Sequence, residues 1–438
     1  MMQVPTRLVA GPEGEHVVQG TAEFTRNGPL TTINVSNTAI INYTGFDIAR
    51  NETVVFTQPS ASSRVLNRVD SADPSQILGT LRANGIVYLV NPAGLYFGNT
   101  AFIDVGGLYA AAGNISNQDF LANVNRFSGL TGGVINAGAI ESGSMVNLIG
   151  RTVTNHGNVI SRNGPVTLVA GNEVFLGEAG QRVFVNLGPV ANDAVGVENS
   201  GKLESKGANG SVTLAVGDIY SLAIRQNGAI AGPKITIDAG AGKAQVGGTI
   251  DASSAAGTGG SIDILAGLVH MTPKANVDAS GATGGGTIRI GGDLQGKNPD
   301  VRNAQTTIID AGAQIKADAT IKGNGGKVIV WADGATSFSG NISARGGAQG
   351  GDGGFAEVSG KGFLDFRGGV DLRAIKGRNG SLLLDPLNLT INGTADLNGD
   401  LTTGDNVTGN VSAGDFAGLN SFITSGAVST LLGTTSLS

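Results

Sequence analysis

Residues 64–117 have the sequence RVLNRVDSADPSQILGTLRANGIVYLVNPAGLYFGNTAFIDVGGLYAAAGNISN. They contain short apolar runs at 86–90, 95–97 and 102–105, and turn-forming pairs lie around these runs. The pairs are Asn84-Gly85, Asn91-Pro92, Ala93-Gly94, Gly98-Asn99 and Gly106-Gly107. Runs this short and rich in β-forming residues predict strands separated by sharp turns. The segment therefore predicts a repetitive β scaffold, and nothing in it has the layout of a catalytic or cofactor loop.

Glycine dominates the composition of the chain. It occupies 72 of 438 positions, about twice its usual share, but not every third position, which excludes collagen. The chain is 40% apolar and only 14% charged, whereas disordered chains are more charged and less apolar. The net charge is −6 and the Lys and Arg residues are scattered, so no basic stripe indicates nucleic-acid binding.

Cysteine is absent, which excludes a disulfide framework, a thiolate metal site and a cysteine nucleophile together. No apolar run approaches the ~18 residues needed to span a bilayer, so we predict no integral membrane segment. The first residues also lack the apolar core of a signal peptide. Either an export signal has been removed from this numbering, or the chain is cytosolic.

A regular sequence repeat can be recognised from about residue 134 onward. Glycine followed by apolar residues two and four positions later occurs at Gly164, Gly210, Gly260, Gly286, Gly326 and Gly380, with a weaker copy at Gly354. An apolar-x-Ala pattern interleaves with it and starts at Ile250, Val277, Ile315, Ile342 and Leu372. Gly260 and Gly286 are 26 residues apart, and Asn136-Ala137-Gly138 recurs 19 residues later as Asn155-His156-Gly157.

Two-residue periodicity that recurs every ~20 to 27 residues, with Gly and Asn turns between, is typical of a parallel β-helix. We therefore predict an all-β fold, a right-handed parallel β-helix whose apolar residues stack on the next coil ~4.8 Å away. A propeller would need longer strands at ~40 to 50 residue spacing. Residues 178–199 interrupt the repeat and predict an inserted loop outside the helix.

The chain before residue 60 predicts a cap. Polar and apolar residues alternate at 16–24, 31–35, 39–42 and 53–56, which predicts strands. A solenoid needs a terminal unit, because its first coil otherwise exposes apolar stacks and unpaired backbone. We therefore predict a β cap at 16–60 that follows an N-terminal lead at 1–15.

No cluster of residues predicts a metal, cofactor or catalytic site. His16, His156 and His270 are far apart and have no partners at ligand spacing. Residues 396–400 resemble half of a calcium loop, but Leu401 stands where that loop needs glycine. Trp331 alternates with neighbours in a repeat strand, which favours packing over sugar stacking.

Several motifs resemble one family. The segments 67–69, 75–79 and 84–95, in this order and spacing, resemble the secretion domain of two-partner-secretion exoproteins. This domain is the haemagglutination-activity region of filamentous haemagglutinin-like adhesins. Segments at 325–333, 351–360 and 383–386 resemble parts of high-molecular-weight adhesins. The family motif is usually Asn-Pro-Asn-Gly-Ile, and here Ala93 replaces the second Asn and Leu95 replaces the Ile. By this resemblance the secretion-motif residues are Asn67, Arg68, Val69, Asn84, Gly85, Asn91, Pro92, Ala93, Gly94 and Leu95.

The resemblance implies a secreted or cell-surface adhesin that crosses the outer membrane unfolded, through a cognate β-barrel transporter with POTRA domains. Residues 16–255 would form the secretion domain, 256–392 would continue the β-helix, and the Gly/Thr/Asn-rich segment 393–438 would begin a following region. The chain is then expected to be the N-terminal part of a longer protein. Its activity would be binding to a host or surface glycan or protein receptor, with no catalysis and no cofactor.

Two other classes stay open on the sequence. A β-helical polysaccharide-acting enzyme, a lyase or hydrolase, would need clustered carboxylates, and Asp251, Asp278 and Asp310 are candidates that lack basic partners. A plain structural surface protein would use the same scaffold. The corner 91–94 likewise has two interpretations: proline fixes φ and glycine permits a left-handed turn, while the resemblance implicates the same residues in secretion.

Overall fold

The computed structural model describes residues 11–176, 195–217 and 222–385, and the backbone of four further strands at 183–186, 389–392, 421–424 and 436–437. The chain forms two compact units. Unit 1 comprises Met1–Val190 and Gly196–Gly217, and unit 2 comprises Ala191–Val195 and Asp218–Ser438. Both are built almost entirely of short strands that pair in parallel between successive coils, as predicted.

Unit 1 begins with three strands that run antiparallel to the coil they cover. They are β1 (Pro12–Glu13), β2 (His16–Gln19) and β3 (Ala22–Asn27). β3 pairs with β4 (Leu30–Val35), β2 pairs with β5 (Thr38–Tyr43), and β1 pairs with β6 (Gly45–Phe46). Each side of the first coil therefore starts under an antiparallel strand, which covers an otherwise open sheet edge.

The coils of unit 1 have three faces. Face A contains β4, β7 (Thr53–Thr57), β10 (Thr80–Ala83), β13 (Phe102–Val105), β17 (Ala139–Ser142), β20 (Asn158–Ser161) and β25 (Lys202–Ser205). Face B contains β5, β8 (Arg64–Val69), β11 (Ile86–Val90), β14 (Gly107–Ala111), β18 (Val146–Gly150), β21 (Val166–Ala170) and β26 (Val212–Val216). Face C contains β9 (Ser75–Ile77), β12 (Leu95–Phe97), β16 (Gly133–Asn136), β19 (Thr152–Asn155) and β24 (Val197–Asn199).

The core of unit 1 is a set of stacked apolar columns inside the coils. On face B, Leu148, Leu168 and Leu214 are register partners in successive coils, and all three are fully buried. Each such side chain contributes about 1.5–3 kcal/mol by leaving water. The Gly-x-apolar-x-apolar pattern places these residues, because alternate side chains of a strand point to the same side.

An outer layer packs against the outside of face B in unit 1. It consists of α1 (Asn117–Leu121), β15 (Asn125–Phe127), β22 (Glu173–Leu176) and β23 (Val183–Asn186). The three strands form an antiparallel sheet of their own. Part of the predicted insertion at 178–199 lies outside the described residues, and its last three residues form β24 of the coil. The prediction of chain outside the helix is confirmed by β23, which lies within the predicted insertion.

Unit 2 has three faces of its own. Face D contains β28 (Ala229–Ala231), β31 (Thr249–Asp251), β34 (Asn276–Asp278), β37 (Gln314–Lys316), β40 (Asn341–Ser343) and β43 (Gly369–Asp371). Face E contains β29 (Lys234–Asp238), β32 (Ser261–Leu265), β35 (Thr287–Ile290), β38 (Lys327–Ala332), β41 (Phe355–Gly360) and β44 (Ser381–Leu383). Face F contains β27 (Ile224–Gln226), β30 (Lys243–Val246), β33 (Leu268–Met271), β36 (Thr306–Ile309), β39 (Ala335–Phe338) and β42 (Phe363–Phe366).

Three further strands complete the described backbone of unit 2: β45 (Leu389–Asn392), β46 (Ser421–Thr424) and β47 (Ser436–Leu437). β46 pairs in parallel with β42 and with β45, and β47 pairs in parallel with β44. A 3-10 helix at Leu294–Gly296 lies in the connection between β35 and β36. Among the residues the structure describes, no helix is both long and apolar enough to cross a membrane.

The repeat pattern predicts the strand register of unit 2 with one exception. Ile262 pairs with Ile288, and Ile288 pairs with Val328, as the copies of the glycine pattern require. In the apolar-x-Ala series, however, Ile342 pairs with Val370. The prediction that this copy of the pattern starts at Leu372 is therefore wrong, and the copy starts two residues earlier, at Val370. Leu372 occupies the position at which the earlier coils carry alanine.

Candidate functional site

The secretion-motif residues lie in neighbouring coils of unit 1, around strand β11. Asn67, Arg68 and Val69 are in β8, which pairs with β11. Asn84-Gly85 forms the corner before β11, and the segment 91–94 forms the corner after it. Leu95 begins β12. The motifs therefore mark both ends of one strand and the strand below it.

Asn67 is a polar residue inside the apolar column of face B. It lies in register between Ile41 and Leu89 and has no exposed surface. The Tyr43 hydroxyl donates to Asn67 Oδ1 at 3.1 Å, and Asn67 Nδ2 donates to the Tyr88 carbonyl at 3.1 Å. Because a buried amide costs free energy unless it is paired, these bonds fix the stacking of the first three coils.

Arg68 points outward and binds the outer layer. Its Nε donates to Asn114 Oδ1 at 2.9 Å, and its Nη2 donates to the Ile115 carbonyl at 2.7 Å and to Asn117 Oδ1 at 2.9 Å. Nη1 donates to Asn42 Oδ1 in the coil below at 3.1 Å. All of these acceptors are neutral, and burial lowers the pKa of Arg68 from its ordinary value. Arg68 therefore joins two coils to the start of α1.

Asn84 and Gly85 hold the corner before β11 against the coil below. Asn84 Oδ1 accepts from the Gln58 N–H at 2.8 Å, and Asn84 Nδ2 donates to the Gln58 carbonyl at 2.6 Å. A Cβ at Gly85 would lie 2.6 Å from the Gln58 side chain and 2.7 Å from the Ser63 carbonyl. Only glycine fits this close approach between coils.

Asn91 organises the corner after β11. It is fully buried, and its Nδ2 donates to the Asp73 carbonyl and to Ser75 Oγ, both at 3.1 Å. Its Oδ1 accepts from the Ala93 N–H at 2.9 Å, and its carbonyl accepts from the Gly94 N–H at 3.0 Å. One side chain thus closes the turn on itself and attaches it to the coil below.

The rest of this corner is held by its backbone. Gly94 has φ +129°, in the region that favours glycine, and its carbonyl accepts from the Ser75 N–H at 3.0 Å. In the next coil, a Cβ at Gly132 would lie 2.7 Å from the Pro92 carbonyl, so the corners stack tightly. Leu95 is buried at 1% exposure and pairs with Ser75 and Val134.

An aromatic core lies under the outer layer, and the sequence patterns did not predict it. The rings of Tyr88 and Tyr109 stack with centroids 4.2 Å apart, and Phe120 of α1 meets Tyr88 edge-on at 5.1 Å. Asn125 Oδ1 accepts from the Tyr88 hydroxyl at 2.8 Å. Burial raises the pKa of Tyr88 and of Tyr109. The sequence did contain a signal for this core. β11 and β14 lack the alternation of polar and apolar residues that is typical of a strand with one solvent-exposed face.

Arg64 is a second missed residue. Its Nη1 donates to the Phe120 carbonyl at 3.0 Å and to Asn123 Oδ1 at 2.7 Å, and its guanidinium lies 5.2 Å from the centre of the Phe120 ring. Arg64 and Arg68 are four residues apart in one strand, so they project to the same side. Both arginines hold α1 on the coils.

The other sequence candidates do not assemble into a catalytic site in the described residues. Asp251 and Asp278 are register partners, but each accepts from a backbone N–H two residues ahead, Ser253 at 2.8 Å and Ser280 at 2.8 Å. Asp310 does not stack with them, because it follows a strand of face F. It also does not lack a basic partner, since its Oδ2 lies 2.9 Å from His270 Nε2.

The described residues contain no group of three or more His, Cys, Asp or Glu side chains able to hold a metal ion. His156 Nδ1 lies 2.7 Å from Ser200 Oγ on the surface of unit 1. Trp331 is buried at 3% exposure, and its Nε1 donates to Asp333 Oδ1 at 3.0 Å, which confirms packing. The half calcium loop at 396–400 lies outside the described residues.

The architecture therefore defines a class: a parallel β-helix whose start is covered by antiparallel strands and whose first coils carry an outer layer. The family model of the TPS secretion domain matches residues 11–264. The chain belongs to this family of two-partner-secretion exoprotein domains, as the motifs around β11 predicted. The members of this family are secretion domains and not enzymes.

Solved and curated relatives agree with this assignment. The crystal structure of the HMW1 secretion domain from Haemophilus influenzae matches with a TM-score of 0.75 and 31% identity, and the match covers 86% of this chain and 100% of that one. The heme/hemopexin-binding protein of Haemophilus influenzae strain Rd is 34% identical over 215 residues, which are 46% of this chain and 23% of that protein. A second Haemophilus influenzae heme/hemopexin-binding protein is 35% identical over 119 residues, 27% of this chain and 13% of that protein. The matched stretches thus span about a quarter or less of these curated relatives.

Proposed function

We propose that this chain directs the export of an adhesin across the outer membrane, through a cognate β-barrel transporter with POTRA domains, and nucleates its folding outside the cell. A two-partner secretion domain implies a partner transporter in the outer membrane. The observation that carries the proposal is the family match over 11–264, which includes every secretion-motif residue. The boundaries at residues 16–255, 256–392 and 393–438 remain predictions.

The secretion motifs act, on this proposal, through folding. Asn67 and Asn91 have no exposed surface, so a transporter cannot contact their side chains once the coils have formed. Each coil pairs in register with the one before it, so a chain that emerges through a pore folds stepwise. Every coil that closes outside the membrane opposes backward movement. Asn67, Arg68 and Asn91 set the first coils and therefore the start of this process.

The departures from the family motif fit this reading. At the position of the second motif Asn, the corner uses the backbone N–H of Ala93, which donates to Asn91 Oδ1 at 2.9 Å. Any residue except proline supplies that N–H, so alanine keeps the bond. Leu95 points into the core at 1% exposure, and exchange of isoleucine for leucine keeps an apolar side chain of the same volume.

The test is secretion of residues 1–438, fitted with an export signal, with and without a co-expressed partner transporter from the same operon. We expect the protein in the medium only with the partner, and not after deletion of 16–130. Asn91→Ala should reduce secretion, and the exposed Asn99→Ala should not. Retention in the periplasm beside a functional partner would refute the export role.

The adhesive role rests on the scaffold and on the family resemblance. A β-helix presents long ladders of outward side chains, which suits binding along an extended surface. We propose a secreted or cell-surface location for the same reason. Purified chain that fails to bind host cells or surface glycans in any assay, while its export is normal, would contradict adhesion alone.

A further inference from the structure

Unit 2 carries a groove of about 820 Å³ that runs across successive coils at the start of face E. Its floor is bare backbone, because each of these coils enters face E through one or two glycines. The floor residues are Gly285, Gly286, Gly325, Gly326, Gly353, Gly354 and Gly380. A Cβ at Gly353 would lie 1.9 Å from the Leu372 carbonyl. The floor therefore cannot carry side chains, and the groove is a built feature of the coils.

One wall of the groove is a hydrogen-bonded ladder of polar side chains. Asn324 Oδ1 accepts from the Asp352 N–H at 2.8 Å, and Asp352 Oδ1 accepts from the Arg378 N–H at 2.8 Å. Arg378 Nη2 donates to Asp352 Oδ2 at 3.2 Å. The Arg378 side chain is 91% exposed, so most of its donors face solvent. This wall offers fixed donors and acceptors at one-coil intervals.

The opposite wall combines a cation, an aromatic ring and hydroxyls. Thr287, Lys327, Phe355 and Ser381 are register partners in successive strands of face E, and all line the groove. Phe355 is half-buried, and Leu294 of the 3-10 helix is 38% exposed at the same groove. An aromatic face flanked by hydrogen-bonding groups suits a ligand with both apolar and polar sides.

The backbone of the floor does not suit an extended peptide. The N–H groups of Gly285, Gly325 and Gly353 donate to the carbonyls of the next coil at 3.0, 2.9 and 2.8 Å. Their neighbours Gly286 and Gly354 donate within the coils at 2.8 Å each. Because strand addition needs unpaired N–H groups as well as carbonyls, recognition here relies mainly on side chains.

We propose that this groove binds an extended acidic oligosaccharide that lies along the helix axis. A sugar ring has an apolar CH face, which would pack on Phe355, and hydroxyls, which would bond Asn324, Asp352 and Ser381. The advance of an extended sugar chain per ring is close to the ~4.8 Å between coils. Arg378 is paired with Asp352 at 3.2 Å, whereas Lys327 Nζ lies 4.0 Å from Asp293 Oδ1, and Arg289 contacts the other oxygen of Asp293 at 3.1 Å. Lys327 is therefore the less neutralised cation of the groove, and it favours an acidic sugar over a neutral one.

The proposal deepens the adhesive part of the proposed function and is independent of export. The test is calorimetric titration of the full chain with tetragalacturonate and, separately, with cellotetraose as a neutral chain of equal length. We expect tetragalacturonate to bind more tightly than cellotetraose. Phe355→Ala should weaken binding about tenfold, and Phe363→Ala, in a different face of unit 2, should leave it unchanged.

A second groove variant tests the proposal independently, in case Phe355→Ala does not fold. Arg378→Gln changes a side chain that is almost wholly exposed and keeps the backbone N–H bond to Asp352, so it should fold normally. It should weaken tetragalacturonate binding severalfold and leave cellotetraose unchanged. No binding of either sugar at millimolar concentration, or binding that neither Phe355→Ala nor Arg378→Gln weakens, would overturn the proposal. Secretion of the same variants is scored separately, so failure of export and failure of the groove are distinguishable.

Discussion

Arg68 donates from Nη2 to the Ile115 carbonyl at 2.7 Å and thereby ties the second coil of unit 1 to a segment 47 residues later. The same guanidinium bonds the side chains of Asn42, Asn114 and Asn117. A single arginine therefore connects the capped end of the helix, the motif coil and the outer layer. Because its acceptors are all neutral, it acts as a multiple donor rather than as an ion-pair partner.

Replacement of Arg68 should loosen the outer layer without unfolding the coils. Arg68→Gln removes charge-assisted bonds worth about 1.5–3 kcal/mol each at most, and we expect a loss of about 2–3 kcal/mol in the stability of residues 114–127. Amide hydrogen exchange of these residues is the measurement. Arg82→Gln, on an exposed residue of the neighbouring coil, should stay within about 0.5 kcal/mol. Unchanged exchange at 114–127 in the Arg68 variant would rule out the tie.

A ladder of buried asparagines on face C gives a second prediction. Asn136 Nδ2 donates to Asn155 Oδ1 at 2.7 Å, and Asn155 Nδ2 donates to Asn199 Oδ1 at 2.8 Å. All three residues have no exposed surface. Asn155→Ala should cost about 2–3 kcal/mol, since it leaves buried groups of both neighbours without this partner. Urea unfolding measures the change.

The matched control for this ladder is Asn158→Ala, on an exposed residue three positions further along the same coil. It should shift the urea midpoint little. Equal shifts for Asn155→Ala and Asn158→Ala would show that the ladder adds nothing to stability.

The sequence predicts the coils well because their register depends on local periodicity. The spacing of Gly260 and Gly286, and of Asn136 and Asn155, equals the register that the strands adopt. The same logic misplaced Leu372, since Val370 and Leu372 are both apolar and alternate along the chain. Two-residue periodicity identifies which side chains of a strand point inward. It does not determine the register between coils when two successive inward positions are both apolar.

The motif residues were found by resemblance, but their partners were not. Arg68 binds Asn114 and Ile115 across more than 40 residues, and no periodic signal links such positions. Two elements of the outer layer, α1 and β15, were missed in the same way, although the unbroken apolar run 86–90 indicates a strand buried on both sides. Trp331 was correctly assigned to packing, because it continues the repeat of β38.

The corner at Asn91 gives a third prediction, on stability instead of secretion. Asn91→Ala removes the bonds to the Asp73 carbonyl, to Ser75 Oγ and from the Ala93 N–H, and we expect a loss of about 2–3 kcal/mol. Thermal unfolding of unit 1 is the measurement. Asn99→Ala, on an exposed residue eight positions later, serves as the control. If Asn91→Ala keeps full stability yet loses secretion, the motif acts by recognition and the folding account is wrong.

Unit 2 contains a buried carboxyl group that gives a pH prediction. Glu357 has no exposed surface and accepts from the Gln295 N–H at 3.2 and 3.0 Å. Burial raises the pKa of Glu357, nearby Asp385 raises it further, and the bond from Gln295 and the charge of Lys327 partly oppose this. Because the folded state then holds the proton more tightly than the unfolded chain, the contribution of Glu357 to stability is fully present below the usual glutamate pKa and is lost as pH rises through the raised pKa.

Glu357→Gln should therefore raise the thermal midpoint of unit 2 at pH 7 and leave it nearly unchanged at pH 4, since glutamine mimics the protonated acid. The measurement is a series of thermal melts between these pH values, with Asp300→Asn, an exposed carboxylate in the same connection between β35 and β36, as the control. Parallel pH profiles for wild type and Glu357→Gln would mean that Glu357 titrates alike in both states. In that case the bonds from Gln295 would have to offset the full cost of burying the charge.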